Sequence, residues 1–598
     1  MMEINGMLSL PRRLLTALRA RLRGSADIPV RAATSGKLTY ANWVSRYATI
    51  GRPERRRLIE LQQKLVEYPL MSVLIDGNNA SPEQIELSLR SIGEQTYDRW
   101  EALVVNPPAQ FQAKKGGIRY QVFSTRRADR VAFEELLDAA SGMYIVPIAA
   151  GDQLSPAALT AFVLGFSERP DTKAIYSDED RIDSIGQRSD PWFKGAWSPD
   201  QVLAQAYTLR SCALNRETIL SARLQDADTS SLTDAVYAIW LWLAAQAEAS
   251  IQHLPLVLYH RRADAPRSEP ITFADAVQAS PLARKYGLEI RSNCSTEGGW
   301  RRVVWPTPNP APRISLCVPT RDRPQLLSNC IEGLRHRTDW PDLEILIVDN
   351  GSSEAETLAY LESLVGDPRV RVLRDDGPFN FSRLNNLGAA ASTGALFGLI
   401  NNDLAVKEPT WLREMASHAV RADVGAVGAL LHYGNDTVQH AGVVLGIGGV
   451  ASHIHKGLPA GQAGYHGRVT LAQDVTCVTA ACLITRRDVY QRLGGLDEQR
   501  FPVAYNDVDF CLRVRSNGFR VIYTPYAHLY HLESASRGRD DVGTRRARLE
   551  LDKATILERW GTKIAEDPFY SPNLSNNATD CRLAFPPRVA LPWAQGSR

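Results

Sequence analysis

ISLCVPT (314–320), EILIVDNGSS (344–353) and ASTGALFGLINND (391–403) decide the fold, because each carries an apolar run that ends abruptly in polar residues. Between them, RPQLLSNCIEGLRHRT, SEAETLAYLESLVG and NFSRLNNLGAAAST read as helices, and VRVLRDD as a further strand. Strands that are apolar throughout and alternate with helices imply a parallel sheet covered on both faces. Ligands of such sheets gather beyond the carboxyl ends of the strands. Asp349, Asn401, Asn402 and Asp403 all stand at such ends.

The unit occurs twice. Ser72 (SVLIDG) and Asn106 (EALVVN) repeat the separation of 34 positions between Ser315 and Asp349, and AASGMYIVPIAAGD (139–152) repeats the third landmark. This alignment sets Asn106 opposite Asp349 and, with Gly142 on Gly394, Gly151 opposite Asp403. Two carboxylates of the second copy are thus lost from the first, which is expected to be degenerate. A chain of 598 residues exceeds the size at which one core stops growing, so two domains are expected. The boundaries drawn from the sequence are a basic helical segment (1–70), a degenerate copy (71–262), a linker (263–312) rich in proline (Pro306, Pro308, Pro310, Pro312), a catalytic copy (313–540) and a helical tail (541–598).

Composition excludes several classes. Apolar content of 44% and charged content of 23% are ordinary for a globular protein, and the net charge of +3 is too small to suggest nucleic-acid binding. No apolar stretch approaches the ~18 residues of a membrane span. Eight scattered cysteines without a C-x-x-C pair read as reduced thiols of a cytoplasmic protein. Arg12, Arg13, Arg19, Arg21 and Arg23 interleave with Leu14, Leu18 and Leu22. That basic amphipathic pattern suits peripheral contact with the cytoplasmic face of an inner membrane, or equally a helix packed on the next domain. No continuous apolar stretch follows the arginines, so a secretory signal is not expected.

Four groups could carry chemistry. Asp349, before Asn350-Gly351-Ser352-Ser353, can accept hydrogen bonds from a base or ribose, though alone it reads as a strand-ending turn residue. Asp403 ends an apolar strand, and a lone carboxylate with diphosphate oxygens and water suits magnesium or manganese. Asp507, in YNDVDF with Asp509, is expected near a helix start facing a cleft, where desolvation would raise its pKa and suit it to proton abstraction. Helix capping by Asn506 or Asp507 is the plainer alternative. His531 could complete a metal shell, although a lone histidine more often packs. The histidines at 432, 440, 453, 455 and 466 lack the spacing of a zinc site. They suit packing first, and acceptor or phosphate contact second, in a glycine-rich loop over a pocket.

The succession SLCVPTRDR, ILIVDNGSS, FNFSRLNNLGA, LINNDLAV, VTAACLITRRDVYQRLGGLDE, VAYNDVDFCLRVRSNGFR and YHLESASRG resembles family-two glycosyltransferases of the A-type fold, in the rhamnosyltransferase-like branch that builds O-antigen, capsule and related polysaccharides. The first copy shares IYSDEDRID and RSDPWFKGAWSPD. The resemblance implies an α/β protein with two tandem nucleotide-diphospho-sugar transferase domains, each a mostly parallel sheet flanked by helices. It implies that Asp349 contacts the base, that Pro319, Thr320, Asn385 and Asn402 line the nucleotide, that Asp403 and His531 hold a divalent metal (Mn or Mg), and that Asp507 is the catalytic base. Asn401, Asn402 and Asn506 stand where the family carries acids. The implied reaction is inverting transfer of a sugar from a nucleoside-diphosphate sugar donor to a glycan or lipid-linked glycan acceptor. Two other readings remain open: both copies active, with Asp178, Glu179 and Asp180 serving the first, or a non-catalytic glycan-binding scaffold.

Overall fold

The computed structural model describes residues 39–111, 120–124, 133–222, 231–246, 249–266, 272–292, 300–532 and 544–594. The basic segment 12–23 lies outside them. The first sheet comprises β1 (Met71–Asp76), β2 (Trp100–Val105), β3 (Gln121–Phe123), β4 (Tyr144–Ala149), β5 (Gln153–Leu154), β6 (Ala174–Ile182), β7 (Arg188–Trp192), β8 (Cys212–Asn215) and β9 (Ile251–Arg262). Next come a hairpin of β10 (Glu289–Ser292) and β11 (Arg301–Val304), then β12 (Ile314–Thr320), β13 (Leu343–Asp349), β14 (Val370–Arg374), β15 (Leu396–Ile400), β16 (Leu404–Val406) and β17 (Val424–His432). The series closes with β18 (Val438–His440), β19 (Val443–Leu445), β20 (Ala451–His453), β21 (Gln473–Asp474), β22 (Cys482–Arg486) and β23 (Arg520–His531).

The order β3-β2-β1-β4-β8-β6-β9-β5 in the first sheet is matched by β14-β13-β12-β15-β22-β17-β23-β16 in the second. The expected parallel pairing holds for β14–β13–β12–β15 and for β17–β23, while β22 enters antiparallel between β15 and β17. Every residue of β12 and β13 is buried, as helices on both faces require.

One hydrogen-bonded triangle fixes the start of each copy. Ser72 Oγ donates to Glu101 at 2.6 Å and accepts from the Gly142 amide at 2.8 Å. In the second copy Ser315 Oγ donates to Glu344 and accepts from the Gly394 amide at 2.8 Å. A Cβ on Gly142 would sit 2.5 Å from the Ser72 nitrogen, and one on Gly394 2.7 Å from that of Ser315. Glycine is therefore required at both positions by close approach of the backbone.

Two segments differ from the sequence reading. Within 263–312, expected as a linker, the described residues form helices Thr272–Gln278 and Pro281–Tyr286 and the antiparallel β10–β11 pair. Phe273, Val277, Leu282, Val303 and Trp305 are buried against helix Leu232–Ala244 and its neighbours. The prolines drew attention to 305–312, which is irregular, and hid the sparse apolar positions before it. Among the described residues, the tail beyond helix Thr544–Ile564 is not helical but winds back to the first half, where Asn573 Nδ2 donates to Asp178 Oδ2 at 3.0 Å. Among the described residues, no helix is long and apolar enough to cross a membrane.

The halves are welded by charge. Asp200, beside Ser198 in the first half, is buried and receives Arg421 at 2.7 Å and the guanidinium of Arg520 from the second. Arg520 also reaches Asp474 at 2.6 Å and Asp423 at 2.8 Å. Asp474 in turn accepts from Ser198 Oγ at 2.6 Å. The two arginines hold the Asp200 carboxyl far below the usual range against the opposing effect of burial. Replacing Asp200 by alanine leaves two buried guanidinium groups short of a partner. Denaturant unfolding should show a loss of about 3–5 kcal/mol, the usual cost of breaking a buried pair. A loss below about 1 kcal/mol would mean that the cluster does not join the halves.

Candidate active site

Strand ends and the residues just beyond them build the site. Thr320 and Asp349 are register partners at the ends of β12 and β13, and the Asn350 amide donates to the Thr320 carbonyl at 2.8 Å. Beyond β15, Asn402 Nδ2 donates to Thr320 Oγ1 at 3.0 Å, and the Asn401 amide donates to the Ala481 carbonyl at 2.9 Å. The neighbouring Ala480 amide donates to the Asp507 carboxylate at 3.2 Å. Asp403 Oδ1 lies 3.2 Å from His531 Nε2, where β16 and β23 pair. These contacts run without a break from Asp349 through Thr320 and Asn402 to Asp403 and His531, and from Asn401 through Ala481 to Asp507. Three acids far apart in sequence therefore meet on one rim of the second sheet.

Each acid has a distinct setting. Asp349 is 1% exposed; its Oδ1 accepts from the Ser352 amide at 3.0 Å and its Oδ2 from Arg374 at 2.5 Å. Asp507 lies in the first turn of helix Asn506–Ser516, after Tyr505 in the left-handed region (φ 59°). Burial raises its pKa above the ordinary carboxylate value, opposed by the Ala480 and Val508 amides. Asp509, one half-turn on, faces away: Arg513 at 2.8 Å, Arg559 at 3.1 Å and Trp560 Nε1 at 2.8 Å engage it. Pro319 is buried inside β12. Asn385 is buried in helix Phe381–Ala391, with Nδ2 donating to the Phe381 carbonyl and Oδ1 without a partner. Arg374, which the sequence reading missed, lay in VRVLRDD and was visible only as a charge closing a strand.

The donor set at Asp403 fits a hard divalent ion completed by diphosphate and water. It supplies one carboxylate, an imidazole whose Nδ1 is buried without a partner, and the likewise unpartnered Asn401 Oδ1. Among the described residues no group of three or more His, Cys, Asp or Glu is placed to hold a metal by itself.

The first copy retains more of this arrangement than the alignment indicated. Gln153 pairs with His260 as Leu404 pairs with His531, which sets Asp152, not Gly151, opposite Asp403. One more residue between Gly142 and β5 than between Gly394 and β16 accounts for the shift. The acid and the histidine persist, but they are pulled apart. Asp152 accepts from Tyr259 at 2.7 Å and from the Arg262 amide at 2.9 Å, with Arg210 at 3.6 Å, whereas His260 bonds Asp180 at 2.6 Å. Asp178, Glu179 and Asp180 are likewise committed, to His253, Lys194 and Arg188. The cleft beside Asp76 retains only about 20 Å³ between Arg210, Leu232, Thr233 and Tyr259.

The remaining histidines pack. His466 stacks on Trp192 at 4.8 Å, His528 bonds His432 at 2.9 Å, and His455 accepts from the Tyr465 amide at 3.3 Å.

Residues 315–494 match the model of glycosyl transferase family 2. The chain carries a family 2 glycosyltransferase domain. The matched span includes Asp349 and Asp403 but ends before Asp507 and His531. The chain is 35% identical over 605 residues to the uncharacterized protein y4gI of Sinorhizobium fredii, covering 96% of this chain and 65% of that protein. It is 34% identical over 547 residues to the O-antigen biosynthesis protein RfbC of Myxococcus xanthus, covering 88% and 42%. The chain thus spans from under half to about two thirds of the length of these curated relatives. A mannosyltransferase from Pyrobaculum calidifontis, solved with GDP-Man and Mn2+, superposes over 44% of this chain and 67% of its own, with 16% identity and a TM-score of 0.32.

Burial holds His418, His455, His466 and His528 at a pKa of about 4, down from 6.5. Folding then excludes protons that the unfolded chain binds, so stability is full above pH 6.5 and lost as pH falls toward 4. Denaturant midpoints should be level between pH 7 and 8 and fall steadily from pH 6 to 4.5. Constant midpoints across that acid range would contradict neutral burial of these rings.

Proposed function

We propose that residues 313–540 transfer a sugar, with inversion, from a nucleoside-diphosphate sugar to a hydroxyl of a growing cell-surface glycan such as O-antigen or capsule. The convergence of Asp349, Asp403 and Asp507 on one sheet rim carries this reading, and the similarity to an O-antigen biosynthesis protein supports the glycan product. In it, Asp349 accepts hydrogen bonds from the base, its position fixed by the Ser352 amide and Arg374. Pro319, Thr320, Asn385 and Asn402 line the nucleotide. Asp403 and His531 would hold Mn or Mg, which when bound neutralises charge on the leaving diphosphate.

Asp507 takes the proton from the acceptor hydroxyl as that oxygen attacks the anomeric carbon from the face opposite the leaving group. Partial burial matches its basicity to this task, and the helix start steadies the anion between transfers. A single displacement inverts the centre. The first half performs no transfer, because its Asp152 and His260 are bound to other partners. Buried, unpaired thiols among the described residues agree with a cytoplasmic setting. Peripheral attachment at the inner membrane would fall to residues 12–23.

Asp507→Asn should lower the transfer rate about 10²–10⁴-fold, while calorimetry with uridine, guanosine and thymidine diphosphates and Mn2+ gives unchanged affinity. Wild-type activity should fall as pH drops through the raised Asp507 pKa, and the variant should lose that acid limb. Transfer by Asp507→Asn at the wild-type rate would remove it as the base. Asp403→Asn should instead weaken Mn2+ binding, read by the free-ion electron paramagnetic resonance signal. An unchanged signal would separate Asp403 from the metal.

A further inference from the structure

An open groove of about 750 Å³ lies between the turn of the β19–β20 hairpin and residues 576–582 of the tail. Its volume is within the roughly 300–1,000 Å³ of small-molecule sites. We propose that this groove takes the sugar chain of the acceptor, a hydroxyl-rich and largely uncharged ligand; the assignment rests on the transferase reading above.

Continuity with the rim is the first argument. The Val443 amide of β19 donates to the Cys477 carbonyl at 2.9 Å, three residues before Ala480, whose amide holds Asp507. On β20, His453 Nδ1 lies 2.8 Å from the buried His440 Nδ1. The hairpin thus touches the wall that carries Asp507. Its turn extends outward from there.

The chemistry of the walls is the second. Gly446, Gly448 and Gly449, with φ of 82°, 67° and 89°, present bare backbone beside Ile447 on this wall, and a Cβ at 448 or 449 would meet nothing within 4 Å. Opposite stand Asn576, Asn577 and Thr579, with Asn576 Oδ1 buried and without a partner. Arg582 is ion-paired with Asp580 at 2.6 Å, and Lys456 lies over the Tyr433 ring at 5.7 Å. The two amides and the Thr579 hydroxyl, beside an Arg582 charge offset by Asp580, supply donors and acceptors that suit sugar hydroxyls. The tail wall is held by Asp567, which accepts from the Leu445 amide at 2.8 Å and Thr476 at 2.6 Å, and by Asn573 on Asp178 of the first half. The degenerate copy therefore braces one side of the groove.

Asn577→Trp would fill the groove from an exposed position, outside the residues assigned to nucleotide, metal and base. On a printed array of bacterial surface oligosaccharides, the full-length wild-type protein should retain a subset of glycans, and Asn577→Trp should lose that capture at least tenfold. Its melting temperature and its affinity for the diphosphates with Mn2+ should not change. Ala578→Trp, at another lining position of ordinary backbone conformation, serves as a second occluding variant. Capture undiminished in both variants, or no capture by a wild-type protein that binds a diphosphate, would overturn the groove. Failure of every diphosphate to bind would overturn the transferase reading itself.

Discussion

The Asp200 carboxylate, held between Arg421 and Arg520, is the contact on which the arrangement of the molecule turns. Arg520 opens β23, and the far end of that strand carries His531. Arg421 stands just before β17, the parallel neighbour of β23. An acid of the first half thus fixes the starting points of two strands whose other ends shape the rim. Buried charges are costly unless fully paired, so this cluster also specifies how the halves dock. Apolar packing joins them as well, since Trp43, Phe193 and Val257 lie in one core with residues of the second half and the tail.

The two copies share a scaffold and differ in how its acids are engaged. Strand order and the Ser–Glu–Gly triangle are the same in both. One added residue before β5 and a few redirected side chains separate Asp152 from His260. The guanidinium of Arg210 and the backbone of Arg262 now engage the acid. In the first copy these charges are internal structure, and Asp178, Glu179 and Asp180 likewise lie in a buried network.

Much of this was legible in the sequence. Apolar runs ending at Thr320, Asp349 and Ile400 marked the strands and the rim, because burial on both faces leaves little room for polar residues inside a parallel sheet. Ser72, Ser315, Gly142 and Gly394 proved sound landmarks, since backbone contact permits no other residue at those glycines. Local pattern failed where long-range contact decides. The shift from Gly151 to Asp152 depends on the pairing of β5 with β9, which spacing along the chain does not encode. Helices at 272–286 carry too few apolar residues to stand out, and they form by packing on helix Leu232–Ala244. Arg374 belonged to an ordinary-looking strand until its partner was placed.

The return of the tail to Asp178 ties the first copy to the second. Deleting the first half would strand a segment that also supports the β19–β20 hairpin. The first half is thus joined to the second through the tail as well as through Asp200, and it serves its neighbour as architecture.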